Sequence, residues 1–132
     1  MALPEDRPDA LMLLDAARRH LLEELLPLLP DERRLDVLMI ANAMGIAGRE
    51  AQAGDAALRE ALMRLATIYG ETVPDALSEE EARALLSRLN RRLAADIRAG
   101  AFDSGPQRAA LLAHLEATTR ARVAITNPKV LE

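Results

Sequence analysis

Polar side chains in this sequence stand at positions where the helical repeat predicts apolar ones. Within "ANAMGIAGRE", residues 41–50, Asn42 interrupts an apolar face, and Arg49 follows two turns along that face, next to Glu50. Burying an amide without partners costs about 1–3 kcal/mol, so a buried Asn42 needs hydrogen-bond partners. The candidate partners on later helices are Asn90, Thr118, Thr119 and Arg122.

These residues support two interpretations if they converge inside the protein. They can form a hydrogen-bond network that keeps the helices in register. They can also line an internal pocket in which Arg49 and Arg122 hold a phosphate or carboxylate group, because guanidinium groups bind both in a forked geometry. No nucleophile or general base is evident among them, so no catalytic residue is predicted.

Other chemistries have little support in the sequence. The absence of cysteine excludes thiolate catalysis and cysteine-based metal sites. His20 and His114 are far apart, and no Glu-x-x-His motif of the kind that binds paired metals in helical bundles occurs. No glycine-rich phosphate loop is present. We therefore expect no metal and no cofactor, and the protein is more readily interpreted as a binding protein than as an enzyme.

A basic face on the fourth predicted helix is a second candidate site. Arg88, Arg91 and Arg92 lie within "SRLNRRL", and the spacing places them on the surface of that helix. The face can simply be solvated. Alternatively, it can dock onto an acidic partner surface, where complementary charge mainly accelerates encounter.

Five helices are expected to position these residues. Their approximate ranges, from apolar periodicity and from helix start and stop signals, are 8–26, 31–53, 55–69, 78–100 and 106–126. Ser78 and Glu81 have the spacing of a capping box, and Gly70 stands where a left-handed C-terminal residue belongs. No strand-like alternation is seen. The prediction is an all-α, single-domain antiparallel bundle over residues 1–132, with an ordered core of about 8–128.

The second helix is expected to be buried within this bundle. Its apolar residues fall on opposite sides, with Leu35, Leu38 and Met39 on one and Val37 and Ile40 on the other, which is typical of a helix surrounded by others. Gly45 and Gly48 cluster on a third side. Each is unfavourable in a helix interior by about 1 kcal/mol. A closely packed helix backbone, a bound ligand and chance composition are the three explanations, and the closely packed backbone is favoured.

Composition limits the class of protein further. The net charge is −4, which disfavours a dedicated nucleic-acid binder. The first residues are acidic and polar rather than those of a secretion signal, and the apolar runs are shorter than the roughly 20 residues that span a membrane. We expect a cytoplasmic bacterial protein that does not bind membranes.

The order of these segments resembles a known family. "LLPLLPDE", "IANAMGIAGRE", "LNRRLAADIRAG" and "ATTRARVAITNP" are similar to the bacterial proteins grouped as domain of unknown function 6285, over roughly residues 8–128. The resemblance implies a small helical protein without an established activity, commonly encoded beside phosphotransferase-like kinases and acyl-CoA dehydrogenases. The first functional hypothesis is a non-catalytic accessory protein that forms a homodimer and binds such a kinase or dehydrogenase. The alternative is a small-ligand binder that holds an acyl-CoA-like phosphate or carboxylate.

Overall fold

The structure, a computed structural model, describes residues 8–132, and these residues form helices without any strand. The all-α prediction is therefore confirmed. Five α-helices are present: α1 (Ala10–His20), α2 (Arg34–Ala53), α3 (Ala56–Tyr69), α4 (Glu79–Arg98) and α5 (Gln107–Thr126). Shorter helical turns extend α1, precede α2 and follow α5: Leu21–Leu25, Leu26–Leu28, Asp31–Arg33 and Pro128–Leu131.

The ends of the helices follow local capping chemistry. Ser78 and Glu81 form the expected capping box, in which each side chain accepts a hydrogen bond from the other's backbone N–H, at 3.1 and 3.2 Å. Gly70 ends α3 in the left-handed conformation, with φ of 64°, which glycine adopts without a steric penalty. Asp9 caps α1 by accepting a 2.9 Å bond from the N–H of Met12. These short-range signals explain why the five predicted helices are found close to their expected positions.

The chain divides into two compact units, Met1–Gly54 and Asp55–Glu132. In the first unit, α1 packs against α2. Leu11, near the start of α1, lies beside Gly48, near the end of α2, and a Cβ on Gly48 would be 3.2 Å from the Leu11 Cδ1. Arg18, near the end of α1, donates from Nε to the carbonyl oxygen of Ala41 at 3.1 Å. The two helices of this pair therefore run in opposite directions, and Gly48 permits their close approach.

The second unit contains the larger core. Its helices α3, α4 and α5 enclose a cluster of buried side chains that includes Leu62, Leu65, Leu89, Phe102 and Leu111. Leu65 and Leu89 are completely buried. By contrast, the buried residues of α2 are the small ones, Val37, Ala41 and Gly48. Among residues 8–54 the fully buried side chains are thus small, whereas the second unit has a core of the usual aliphatic kind.

The prediction of a buried second helix is not confirmed. Leu35, Leu38, Met39 and Ile40 of α2 are exposed to 67, 42, 63 and 50%. The reason is that α2 packs on α1 through its small residues, so that its bulky apolar face turns outward. The up-and-down arrangement of all five helices, and the single domain over 1–132, stay predictions.

Candidate functional site

The outward face of α2 is the largest departure from the expected arrangement. Leu35, Leu38, Met39 and Asn42 are all exposed on it, and Ile46 is partly buried at its far end. We call these five residues the outer α2 face. Asn42 therefore needs no buried partner, because water can form hydrogen bonds with its amide. The free-energy cost of burying an unpaired amide does not arise at this position.

The other residues of the predicted polar pocket are largely at the surface of their own units. Glu50 in the first unit, and Asn90, Thr119 and Arg122 in the second, are exposed. Only Arg49 and Thr118 are partly buried. The interior location expected for this set is therefore not what the structure shows, while any role of these residues in binding stays a prediction.

Arg49 lies in a small cleft of the first unit together with Arg18. The cleft has a volume of about 230 Å³ and is bounded by Leu14 and Met44 as well as by the two arginines. Gly45 forms part of its surface. The sequence indicated Arg49 and Gly45 as unusual, but it carried no signal for Arg18, which stands in an ordinary amphipathic helix.

Thr118 belongs to a polar contact between α3 and α5 that sequence reasoning missed. Arg64 donates from Nε to Nδ1 of His114 at 3.3 Å and from Nη2 to Oγ1 of Thr118 at 3.5 Å. His114 is 3% exposed, and its burial, followed by the charge of Arg64, lowers the pKa of the imidazole. The lowered pKa favours the neutral imidazole, whose Nδ1 accepts the hydrogen bond from Arg64.

The predicted basic face of α4 divides into two parts. Arg88 and Arg92 both bind the carboxylate of Glu71, at 3.2 and 3.0 Å, on the segment that follows α3. Arg91 lies instead on the side of α4 that borders a shallow groove, next to Asn90. Two of the three charges are therefore partly neutralised within the unit, so a uniformly basic docking face is not what the structure presents.

Arg92 also takes part in a side-chain cluster with Tyr69, Asp96 and Phe102. Its guanidinium carbon lies 3.9 Å from the centre of the Tyr69 ring, and the Tyr69 hydroxyl donates to Asp96 at 2.6 Å. Burial and the bond to Asp96 raise the pKa of Tyr69 to about 12, and the positive charge of Arg92 opposes them. The Phe102 ring meets the Tyr69 ring edge-on at 6.5 Å. The cluster joins α3 to α4 and to the segment between α4 and α5, which contains Phe102.

Two further classes of site find no support in residues 8–132. No group of three or more His, Asp or Glu side chains is placed to hold a metal ion within that range. In the same part of the chain, none of the helices combines the length and the hydropathy that crossing a bilayer requires.

The helices and the sites they carry define a small all-α protein whose described polar clusters mostly join helices within each unit. Comparison with protein families identifies the family: the model described as domain of unknown function (DUF6285) matches residues 27–130. The chain belongs to this family. No curated protein and no solved structure matches it.

Proposed function

We propose that this protein is a non-catalytic interaction module that binds a partner protein through the outer α2 face. The observation that carries the proposal is the exposure of Leu35, Leu38 and Met39, which are between 42 and 67% exposed on adjacent turns of one helix. Contiguous apolar side chains on a surface commonly mark protein–protein contacts. This face presents its apolar groups at i, i+3 and i+4, the spacing with which a helix docks into an apolar groove.

Asn42 gives this face a way to select its partner. An amide in the middle of an apolar stripe loses its bonds to water when the stripe is covered, unless the partner supplies a donor or acceptor. A partner with a matching polar group is therefore favoured over one that is uniformly apolar. The same device sets register in paired helices, where one buried Asn reduces stability but specifies alignment.

The first candidates for the partner are a phosphotransferase-like kinase and an acyl-CoA dehydrogenase, which the family resemblance suggested. A second copy of the chain is a further candidate, since a helix face of this kind can also form a homodimer. A cytoplasmic location in a bacterial cell, expected from the sequence, stays a prediction.

The experiment compares two methionines of similar exposure. Met39 is 63% exposed on the outer α2 face, whereas Met63 is 55% exposed on α3. Tagged wild-type protein, Met39→Glu and Met63→Glu are each used to recover partners from the native lysate at modest salt, with mass spectrometry as the readout. Light scattering of each purified protein reports self-association. Both substitutions add one charge at an exposed site, so neither should unfold the chain.

We expect wild type and Met63→Glu to recover the same partner in stoichiometric amounts, or to form the same dimer, and Met39→Glu to lose it. Circular dichroism of the three proteins should be the same. Equal recovery by Met39→Glu would show that the outer α2 face is not the binding surface. In that case the charge reversal of Arg91, the arginine of α4 that does not bind Glu71, becomes the next variant.

The alternative function, binding of a small ligand in an internal pocket that contains Arg49 and Arg122, has weaker support. An internal pocket between Arg49 and Arg122 requires both residues to be buried, and Arg122 is exposed. Acyl-CoA compounds, phosphate and carboxylates can be screened by thermal shift with wild type and Arg122→Ala. A shift that Arg122→Ala abolishes would favour the alternative.

A further inference from the structure

We propose that the shallow groove between α3 and α4 binds an acidic, amphipathic helical segment of a partner protein, whose carboxylates pair with Arg91 and Arg98. The groove lies wholly in the second unit. The proposal therefore goes beyond the function proposed for the outer α2 face and does not depend on it. The free arginines of α4, their spacing and the apolar floor of the groove together define the chemistry of this partner.

Arg91 and Arg98 are the two arginines of α4 whose charge is not neutralised within residues 8–132. The other three are paired with glutamates: Arg83 with Glu79, and Arg88 and Arg92 with Glu71. Arg91 and Arg98 are exposed and have neither an ion-pair nor a side-chain hydrogen-bond partner in the described part of the chain. Their guanidinium donors are therefore free to bind a carboxylate, each through two parallel N–H···O bonds.

The spacing of these two arginines fits a second helix. They are seven residues apart in α4, which is nearly two full turns, so they lie on the same side of the helix. With a rise of about 1.5 Å per residue, their Cα atoms are about 10.5 Å apart. Ala94, which lies between them and lines the groove, is exposed and small, so a partner can approach the helix closely there. Two glutamates seven residues apart on a partner helix repeat this distance, and each can then meet one arginine.

Apolar side chains form the floor of the groove and give binding a hydrophobic contribution. Leu58 of α3 and Leu86 of α4 line it, and both are partly buried against the core of the second unit. The groove has a volume of about 400 Å³, which is within the range of about 300–1,000 Å³ that is usual for binding pockets. Apolar side chains between the two glutamates of a partner helix would cover these leucines and remove their exposed surface from water.

The charge of the groove favours an acidic segment over the other possible partners. Among residues 8–132, no acidic side chain lines the groove, whereas Arg83 and Arg91 both do. A basic segment would be repelled by these arginines. A nucleic acid would approach a chain of net charge −4 and would gain little from an apolar floor. An acidic amphipathic helix, by contrast, contacts both the arginines and the leucines.

The test uses a fluorescent helical peptide of alanine and glutamine, roughly 18 residues long so that it can form a helix in isolation. It carries two glutamates seven residues apart with two leucines between them. One control peptide has its glutamates five residues apart, on different sides of the helix, and another has lysine in place of both glutamates. Fluorescence anisotropy measures binding to wild type, Arg91→Glu, Arg98→Glu and the double variant. Arg34→Glu, which reverses an exposed arginine of α2, is the matched control, and circular dichroism checks that each protein is folded.

We expect wild type and Arg34→Glu to bind the first peptide saturably and more tightly than either control peptide. Reversing one arginine replaces an attraction by a repulsion, so affinity should be about tenfold weaker in Arg91→Glu and in Arg98→Glu. The double variant should bind the lysine peptide more tightly than wild type does, which a merely unfolded protein would not do.

Three results would overturn the proposal. The first is equal affinity of wild type for the two glutamate peptides, or binding to neither. The second is unchanged affinity in both Arg91→Glu and Arg98→Glu. The third is displacement of the peptide by a DNA oligonucleotide at physiological salt, which would identify the groove as a nucleic-acid surface.

Discussion

Tyr69 offers a direct optical test of the cluster that joins α3 to α4. It is the only tyrosine, and the chain contains no tryptophan, so absorbance near 295 nm reports the ionisation of this one hydroxyl. Its pKa is raised from 10 to about 12, first by burial and then by the 2.6 Å bond to Asp96. At pH 11, a tyrosine of pKa 12 is about 9% ionised, whereas one of pKa 10 is about 91% ionised.

Two substitutions should move this titration in opposite directions. Asp96→Asn removes a negative charge beside the hydroxyl, so the pKa should fall. It should not reach 10, because burial is the larger cause and remains. Arg92→Gln removes the positive charge above the ring, so the pKa should rise. The assay is a spectrophotometric titration from about pH 8 to about pH 12.5, with circular dichroism to confirm that the protein stays folded.

The raised pKa also predicts how stability depends on alkaline pH. The folded-state pKa lies above that of the unfolded chain, so the contribution is complete below about pH 10 and is lost as pH rises toward 12. A difference of two units corresponds to about 2.7 kcal/mol, and partial exposure of the ring reduces the expected loss to about 1–2 kcal/mol. Few other groups titrate in this window, because 16 of the 17 basic residues are arginine. A midpoint near pH 10 in folded wild type, or an unchanged midpoint in Asp96→Asn, would refute this account of Tyr69.

Three further predictions concern the second unit. Leu89→Ala should lower the free energy of unfolding by about 2–5 kcal/mol in urea denaturation, because Leu89 is completely buried in the core. The pKa of His114 is lower in the folded protein than in the unfolded chain, so the unfolded chain binds a proton at this residue first as the pH falls through about 6.5. The free energy of unfolding should therefore decrease below that pH. His114→Gln should flatten this decrease between about pH 7 and about pH 5.5. Glu71→Gln removes the shared partner of Arg88 and Arg92 and should cost about 0.5–1 kcal/mol, a difference that 1 M salt should diminish.

Much of the secondary structure could be predicted because its signals are local. Ser78 and Glu81 are three residues apart, and Gly70 acts on the turn directly before it, so each can be read in one stretch of sequence. The buried side of α2 could not be read in this way. A helical wheel assigns an angle to each apolar residue, but it does not show which side another helix will cover. Here the small side, with Ala41 and Gly48, is covered because it permits the closest approach of α1.

The polar contacts were harder to predict for a related reason. Arg64 and His114 are 50 residues apart, and Glu71 and Arg88 are 17 apart. No periodic pattern links such residues, because their meeting depends on how whole helices pack. Arg18 was missed as well, since an arginine on the surface of an amphipathic helix is common. Asn42 stands out in the sequence as a polar residue within an apolar stripe, and the structure places it on the exposed side of α2.

The small size of the fully buried side chains among residues 8–54 affects how readily proteases degrade the protein in a cell. Among residues 8–54 the fully buried residues are Val37, Ala41 and Gly48, so complete burial of large apolar side chains contributes less free energy there than in the second unit. Local opening, and cleavage by proteases, should therefore begin there. A partner that binds only the folded pair, at a hundred times its dissociation constant, adds about 2.7 kcal/mol to the stability of that pair. If the proposed partner binds in this way, the amount of this protein should rise and fall with the amount of that partner, since copies made in excess would be degraded first.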